Sequence, residues 1–305
     1  MKIKIPKFKT VLNDIKDLTI GTFKKAMDDD IITQGAAIAF YTIFSITPLF
    51  ILIVSLSGIF LSEEFIEEQI LGYVAEFAGE GIAENLNQFL EGAAFFDSTG
   101  ILTTILATII VIFGATTVIS QLKRTLNRIW NVDKVEMNSI WHFLLSRVLS
   151  FGMIILVSLL LIFSLLAEAI IGVLSDFLMD LLPFLDIDFF RFVSEISTIA
   201  FAVCFFTLIF KILPDVHAPW KDIIIGATVT TILFLLGKYL IGVYFSASGI
   251  EVAYRAAGSL IVFIIWVYYN IQTILLGAVF TQVYTEKFGG RILPYKFVIL
   301  KSNSA

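Results

Sequence analysis

The side chains with ready chemistry are few and scattered. His142 and His217 lie far apart, each at the edge of an apolar run, and the single cysteine, Cys204, lies inside one. They form no nucleophile–base pair and no zinc-ligand spacing, and one cysteine allows no disulfide within the chain. Hydrolysis of RNA needs acid–base or metal groups gathered at one site. The carboxylates instead crowd into the stretch 62–100, where Glu63, Glu64, Glu67, Glu68, Glu76, Glu80, Glu84, Glu91 and Asp97 occur without any Lys or Arg. No catalytic residue, metal ligand or cofactor site is expected from this pattern, and a net charge of -5 disfavours a nucleic-acid partner.

The informative polar groups are those inside apolar runs. On a helix at about 100° per residue, Gln34, Tyr41, Ser45 and Pro48 share one side, while Phe40, Ile43, Phe50 and Val54 take the other. Gly35 and Ala39 add a small-xxx-small pair that permits close helix contact, and Pro48 removes one backbone hydrogen bond. A second stripe runs through Ser259, Trp266, Asn270, Thr273, Gly277 and Thr281, opposite Leu260, Ile264, Val267, Ile271 and Leu275. Two such stripes can line a shared cavity or simply glue helices together. Two charges also fall within apolar runs: Lys238 and Glu168 sit at depths that allow a pair, and the alternative is that each reaches outward to headgroups.

These side chains need long apolar elements to hold them. Of 305 residues, 58% are hydrophobic and only 15% charged, against about 25% charged in soluble domains. The apolar residues gather into runs of about 20 or more, enough to cross a ~30 Å hydrocarbon core as helix. Six spans are expected: Ala36–Leu61, Ile101–Gln121, Arg147–Ile171, Phe192–Leu213, Ile223–Phe245 and Ala256–Tyr284. None alternates as a barrel strand does. The fold class is therefore all-α, a polytopic membrane bundle with amphipathic helices at both surfaces. Its parts are a basic amphipathic arm (1–30), a six-helix transmembrane domain (31–290) containing the acidic segment 62–100, and a tail (291–305).

Lys and Arg orient the bundle. They fill the arm (Lys2, Lys4, Lys7, Lys9, Lys16, Lys24, Lys25), the loop after the second span (Lys123, Arg124, Arg128, Lys134) and the segment after the last (Lys287, Arg291, Lys296, Lys301). The positive-inside rule places both termini in the cytoplasm, with the acidic segment outside. In the arm, Phe8, Val11, Leu12, Ile15, Leu18, Phe23 and Ala26 recur at helical spacing among lysines, which suits either anionic lipid at the inner surface or packing on the protein. Asp28, Asp29 and Asp30 stand ready to cap the first span. The acidic segment suggests two short amphipathic helices on the outer face.

Four stretches, in order, resemble the YihY/BrkB integral membrane proteins, long labelled ribonuclease BN. They are Gly35–Pro48; Leu126–Val132 with Asn127 and Trp130; Pro214 and Asp215 with Trp220 and Gly226-Ala227; and Gly258-Ser-Leu260 with Trp266, Tyr268 and Leu276-Gly277-Ala278. The resemblance covers Gly21 to Tyr284. It implies an inner-membrane protein of six spans and a candidate transporter for lipids or envelope components. Many members carry an acidic residue after the last Gly-Ala; here Val279 stands there.

The expected function is transport of a small solute, ion or lipid through a cavity between helices. Gln34, Tyr41, Ser45, Trp266, Asn270 and Thr273 would meet the substrate, Pro48 would provide a hinge, and Lys238 would face an anionic group. The alternative is a non-transporting protein that maintains envelope integrity or organises lipids. Membrane lipids are the expected partners, anionic lipid at the basic arm among them, and an oligomer is compatible with the sequence.

Overall fold

The computed structural model describes residues 8–57, 100–134, 139–181, 187–248, 258–290, 292–294 and 298–300, with single positions between 68 and 87. The elements run α1 (Phe8–Asp28), α2 (Ile31–Ser57), α3 (Gly100–Ile129), β1 (Val132–Lys134), α4 (Ser139–Leu181), α5 (Ile187–Ile212), β2 (Val216–His217), α6 (Trp220–Ser248), α7 (Gly258–Phe288), β3 (Leu293–Pro294) and β4 (Val298–Leu300). Each of the six expected spans falls on one of α2–α7. Over the described residues, four stretches are long and apolar enough to cross a membrane: Arg147–Ser175, Phe192–Ile212, Trp220–Ile241 and Phe263–Phe288. The outer amphipathic helices expected in 62–100 lie largely outside the described residues.

Local sequence explains the helix boundaries. Asp29 N and Asp30 N donate to Lys25 O and Met27 O, closing α1, and Asp30 turns the chain with φ 52°. Its carbonyl then accepts from Gln34 N (3.1 Å), so Asp30 opens α2 as expected of that acidic run. Asn131, at φ 53°, ends α3 in the left-handed region that asparagine tolerates. Before α6 the Pro219 carbonyl accepts from Asp222 N and Ile223 N. After α7 the chain leaves through Gly289, whose N–H donates to Thr285 O at 3.0 Å.

Neighbours in sequence are neighbours in space. α2 packs on α3, α3 on α4, α4 on α5, α5 on α6, α6 on α7, and α7 returns to α2, closing a ring. α2 also touches α4, and α3 touches α7, so contacts cross the ring as well as run round it. α1 lies along α7 and, to a lesser extent, α2. The apolar window of α7 is 44% buried, against 17–33% for the other three spanning stretches, which makes α7 the most enclosed. The core draws Ile38 and Ala39 from α2, Leu126, Ile129 and Trp130 from α3, Phe206 and Phe210 from α5, Ile223 and Ala227 from α6, and Leu275, Ala278 and Val279 from α7.

The sequence reading did not foresee two antiparallel ladders. β1 pairs with β4 (Asp133 opposite Ile299) and β2 with β3 (Val216 opposite Pro294). The chain after α7 thereby ties together the loops that follow α3 and α5. Strands of two or three residues carry no readable alternation, so only the tertiary arrangement reveals them.

Candidate functional site

α6 and α7 approach closely through glycines. These helices pack antiparallel through reciprocal notches. A Cβ built on Gly226 would fall 1.8 Å from Thr281 Oγ1, and one on Gly277 would fall 1.9 Å from Thr230 Oγ1. Each threonine fills the space left by the glycine of the other helix. The hydroxyls are satisfied within their own helices: Thr230 donates to Gly226 O (2.7 Å) and Thr281 to Gly277 O (2.6 Å). Farther along, Tyr269 lies over Gly237 and donates to Leu233 O at 2.9 Å. Absence of a side chain is what lets the backbones approach here.

A second notch joins α2 to α7. Gln272 Nε2 occupies the space beside Gly35 and reaches Ile31 O (3.3 Å) and Ile32 O (3.2 Å). These carbonyls belong to the first turn of α2 and accept from Gln272 in addition to their helical N–H partners, which the missing side chain of Gly35 makes room for. The sequence reading placed Gly35 at a close contact but did not single out Gln272. The available signal was an amide inside an apolar run, two residues after Asn270.

A polar latch closes the end of the bundle where α3 and α5 finish. Asn127 Nδ2 donates to Asp215 Oδ2, and Asp215 N donates to Asn127 Oδ1, both at 2.8 Å. Lys123 Nζ lies 2.8 Å from Asp215 Oδ1. Beside it Lys211 donates to Ala218 O (2.6 Å) and stands over the Trp220 ring. Trp130 is buried beneath, as is Pro214. Two of the stretches that carry the family resemblance thus meet directly, through Asn127 and Asp215. Gly258 opens α7.

The remaining expected site residues are placed as follows. On α2, Ser45 is buried and Gln34 is half-buried, while Tyr41 is 41% exposed, edge-on to the exposed Phe40. The inward face of α2 is Ile31, Gly35, Ile38, Ala39 and Ser45. At about 100° per residue Tyr41 stands next to Gln34, at the edge of that face. α2 continues as helix through Pro48, whose side chain lies outside the described residues. On α7, Thr273 is buried and donates to Tyr269 O, and half-buried Asn270 donates to Trp266 O. Trp266 is half-buried and stacks on Phe263. The opposite side of α7 is largely enclosed: Val267, Ile271 and Leu275 are in the core, and Ile264 is the exposed one among the described residues of that set. Enclosure by α1, α2, α3 and α6 leaves α7 little outer surface. Glu168 and Lys238 both sit at exposed positions, on α4 and α6, and α5 packs against both of those helices.

Buried polar atoms gather toward the last turns of α7. Gln282 is 1% exposed and its amide bonds Glu286, while its Oε1 has no partner among the described atoms. Asp222 Oδ2 is likewise buried without one, at the notch made by Gly289. On the α1–α2 corner Asp29 pairs with Lys25 at 3.1 Å, and burial raises its pKa above the ordinary carboxylate value despite that lysine. Among the described residues no group of three or more His, Cys, Asp or Glu could hold a metal.

The residues that make the notches and the latch span the same region that known relatives share. The family described as Virulence factor BrkB matches residues 22–296. The chain belongs to the BrkB family. Related chains of this BrkB protein include a UPF0761 membrane protein of Alcanivorax borkumensis, 23% identical over 87% of this chain and 60% of that protein. Another, from Chromobacterium violaceum, is 27% identical over 81% of this chain and 57% of the relative. A third, from Pseudomonas aeruginosa, is 24% identical over 81% and 57% respectively. The BrkB chain thus spans less than two thirds of the length of these curated relatives. No solved structure matches it. None of these names carries an enzymatic activity. The protein is a membrane protein with several apolar helices. Val279, which follows the last Gly-Ala pair, is fully buried in the core.

Proposed function

We propose that this BrkB chain is a six-span transporter of the inner membrane, with both termini in the cytoplasm, moving a small solute, ion or lipid between its helices. One observation carries the reading. α7, the most enclosed of the four described spanning stretches, brings Asn270, Gln272, Thr273, Thr281 and Gln282 among the packed helices, three of them amides. Polar groups at membrane depth are expensive, and their default interpretation is a pathway or a site. The orientation rests on Lys25, Lys123, Arg128, Lys211, Lys221 and Lys287, which the fold gathers at the ends of α1, α3, α5 and α7 and the start of α6.

The second reading, a non-transporting protein of envelope integrity or lipid organisation, is favoured by a different observation. Hydroxyls of Thr230, Thr273, Thr281 and Thr285 donate to carbonyls four residues back, which is sufficient for packing alone. Flux measurements on the full chain in liposomes separate the two. Candidate solutes, ions and fluorescent lipids are each offered, and Gln34→Ala and Asn270→Ala are compared with the unchanged chain. Transport predicts protein-dependent movement of at least one class, slowed by these substitutions while thermal stability is kept. No movement of any class, with an envelope phenotype still complemented in cells, supports the second reading.

A further inference from the structure

The sequence suggested one apolar face on α1; the structure shows two. The inner face packs on the protein. Ala26 and Thr22 are buried, Gly21 comes within contact of Val283 (3.3 Å for an added Cβ), and Lys287 bonds Asp17 at 3.0 Å. These contacts fix the rotation of α1, running antiparallel to the last turns of α7. A different face therefore points outward. Ile20, Phe23 and Met27, spaced i, i+3 and i+7, are 55%, 56% and 74% exposed, and Lys16 and Lys24 emerge on the same side. At 100° per residue these five side chains span about 100° of arc.

We infer that this outward face of α1 is a docking surface for the anionic headgroup region of the bilayer. Three large apolar side chains among lysines are the composition of an interfacial helix: the apolar groups enter the headgroup–acyl boundary and the ammonium groups meet phosphate. Continuity supports the same occupant. Across the Asp29–Asp30 corner the exposed surface proceeds to Ile32, Phe40 and Phe44 of α2, the surface a spanning helix offers to lipid. Charge decides which lipid, since Lys16 and Lys24 favour an anionic over a zwitterionic surface. The inference rests on the reading of α2 as a membrane span, and α1 is then more than a tether: through Lys287 and Val283 its lipid contact bears on α7.

The test uses the full chain in a Cys204→Ser background, with an environment-sensitive fluorophore placed by Phe23→Cys, Met27→Cys, Asp28→Cys or Phe40→Cys in separate samples. Nanodiscs contain either phosphatidylcholine alone or phosphatidylcholine with phosphatidylglycerol, and quenchers are aqueous iodide or spin-labelled lipid. The expected result is lipid quenching at 23 and 27 that deepens with phosphatidylglycerol, iodide quenching at 28, and loss of the phosphatidylglycerol effect in Lys16→Gln/Lys24→Gln. Iodide quenching at 23 and 27 equal to that at 28 overturns the inference if 40 is still quenched by lipid. If 40 is also open to iodide, the membrane reading of α2 fails as well. Equal protection in both lipids overturns the anionic selectivity. Ready disulfide-linked dimers through Met27→Cys, formed without the label, assign the face to a second copy and overturn it too.

Discussion

Substituting alanine for Gly226 tests the notch geometry on which the α6–α7 pairing depends. The added Cβ would lie 1.8 Å from Thr281 Oγ1 and 2.7 Å from Thr281 Cβ. Ordinary contact needs about 3.4–4 Å, so rotating the hydroxyl is insufficient and the helices must separate by more than an ångström. Thr230, packed into Gly277 in the same seam, would be pulled from its notch as well. Overpacking of this kind costs about 1–3 kcal/mol. The reasoning also predicts the rescue. Thr281→Gly removes every clashing atom, so Gly226→Ala/Thr281→Gly re-forms the seam with the bulk transferred to the other helix. A glycine inside α7 costs about 1 kcal/mol by itself, which leaves the double variant between wild type and Gly226→Ala. Unfolding in a detergent–denaturant titration measures all four corners of the cycle, and the coupling should be favourable by about 1 kcal/mol or more. Strict additivity, or equal rescue by Thr230→Gly, which does not face Gly226, would falsify the register.

Gly35→Ala should be milder than Gly226→Ala, because its obstacle is the end of the flexible Gln272 side chain, 2.2 Å away; the same titration checks the order. Gln272→Leu should lose about 0.6 kcal/mol, the usual worth of a polar contact between membrane helices, unless it also abolishes flux. Asp215→Ala strips Asn127 and Lys123 of their shared partner in a mostly buried site, and should cost about 1–3 kcal/mol. Lys123→Met should cost less, since Asn127 still holds the carboxylate. Asp29 gives a pH signature. Burial raises its folded pKa above the ordinary carboxylate value, Lys25 notwithstanding. Folding therefore favours the protonated form, and wild type should gain stability relative to Asp29→Asn as pH falls through the folded pKa toward 3.8. Stability difference against pH should slope that way; a flat or opposite slope refutes the assignment.

How much of this was legible beforehand follows from the range of each interaction. Helix positions were readable because a run of 20 apolar residues needs no knowledge of its neighbours, and α2–α7 begin and end within several residues of most expected bounds. Gly35, Gly226 and Gly277 were readable as points of close approach because only small residues permit one. What fills each notch was not, since Thr281, Thr230 and Gln272 are fixed by helix pairing and register. Asn127 and Asp215 are 88 residues apart and meet only after α3 and α5 are placed.

Facial assignment failed where periodicity assumes one buried side. α7 is enclosed by four helices, so Val267, Ile271 and Leu275 are as buried as the Thr273–Thr281 side. α1 fails in the complementary way. Its expected apolar face includes Ala26, which is spent on the protein, and Ile20 and Met27 were left out of it. These failures share a cause and bear on function. A helix whose two sides both reject water sits between two environments, and α1 sits between α7 and whatever covers Ile20, Phe23 and Met27. If lipid covers them, α7, which carries Asn270, Gln272 and Gln282, is in contact with a helix placed to sense the membrane surface. A change in α1 docking would then reach Lys287 and Val283 before any other part of α7. Mutations on the outward face of α1 should accordingly alter flux without altering the α6–α7 seam, whereas Gly226→Ala should alter both.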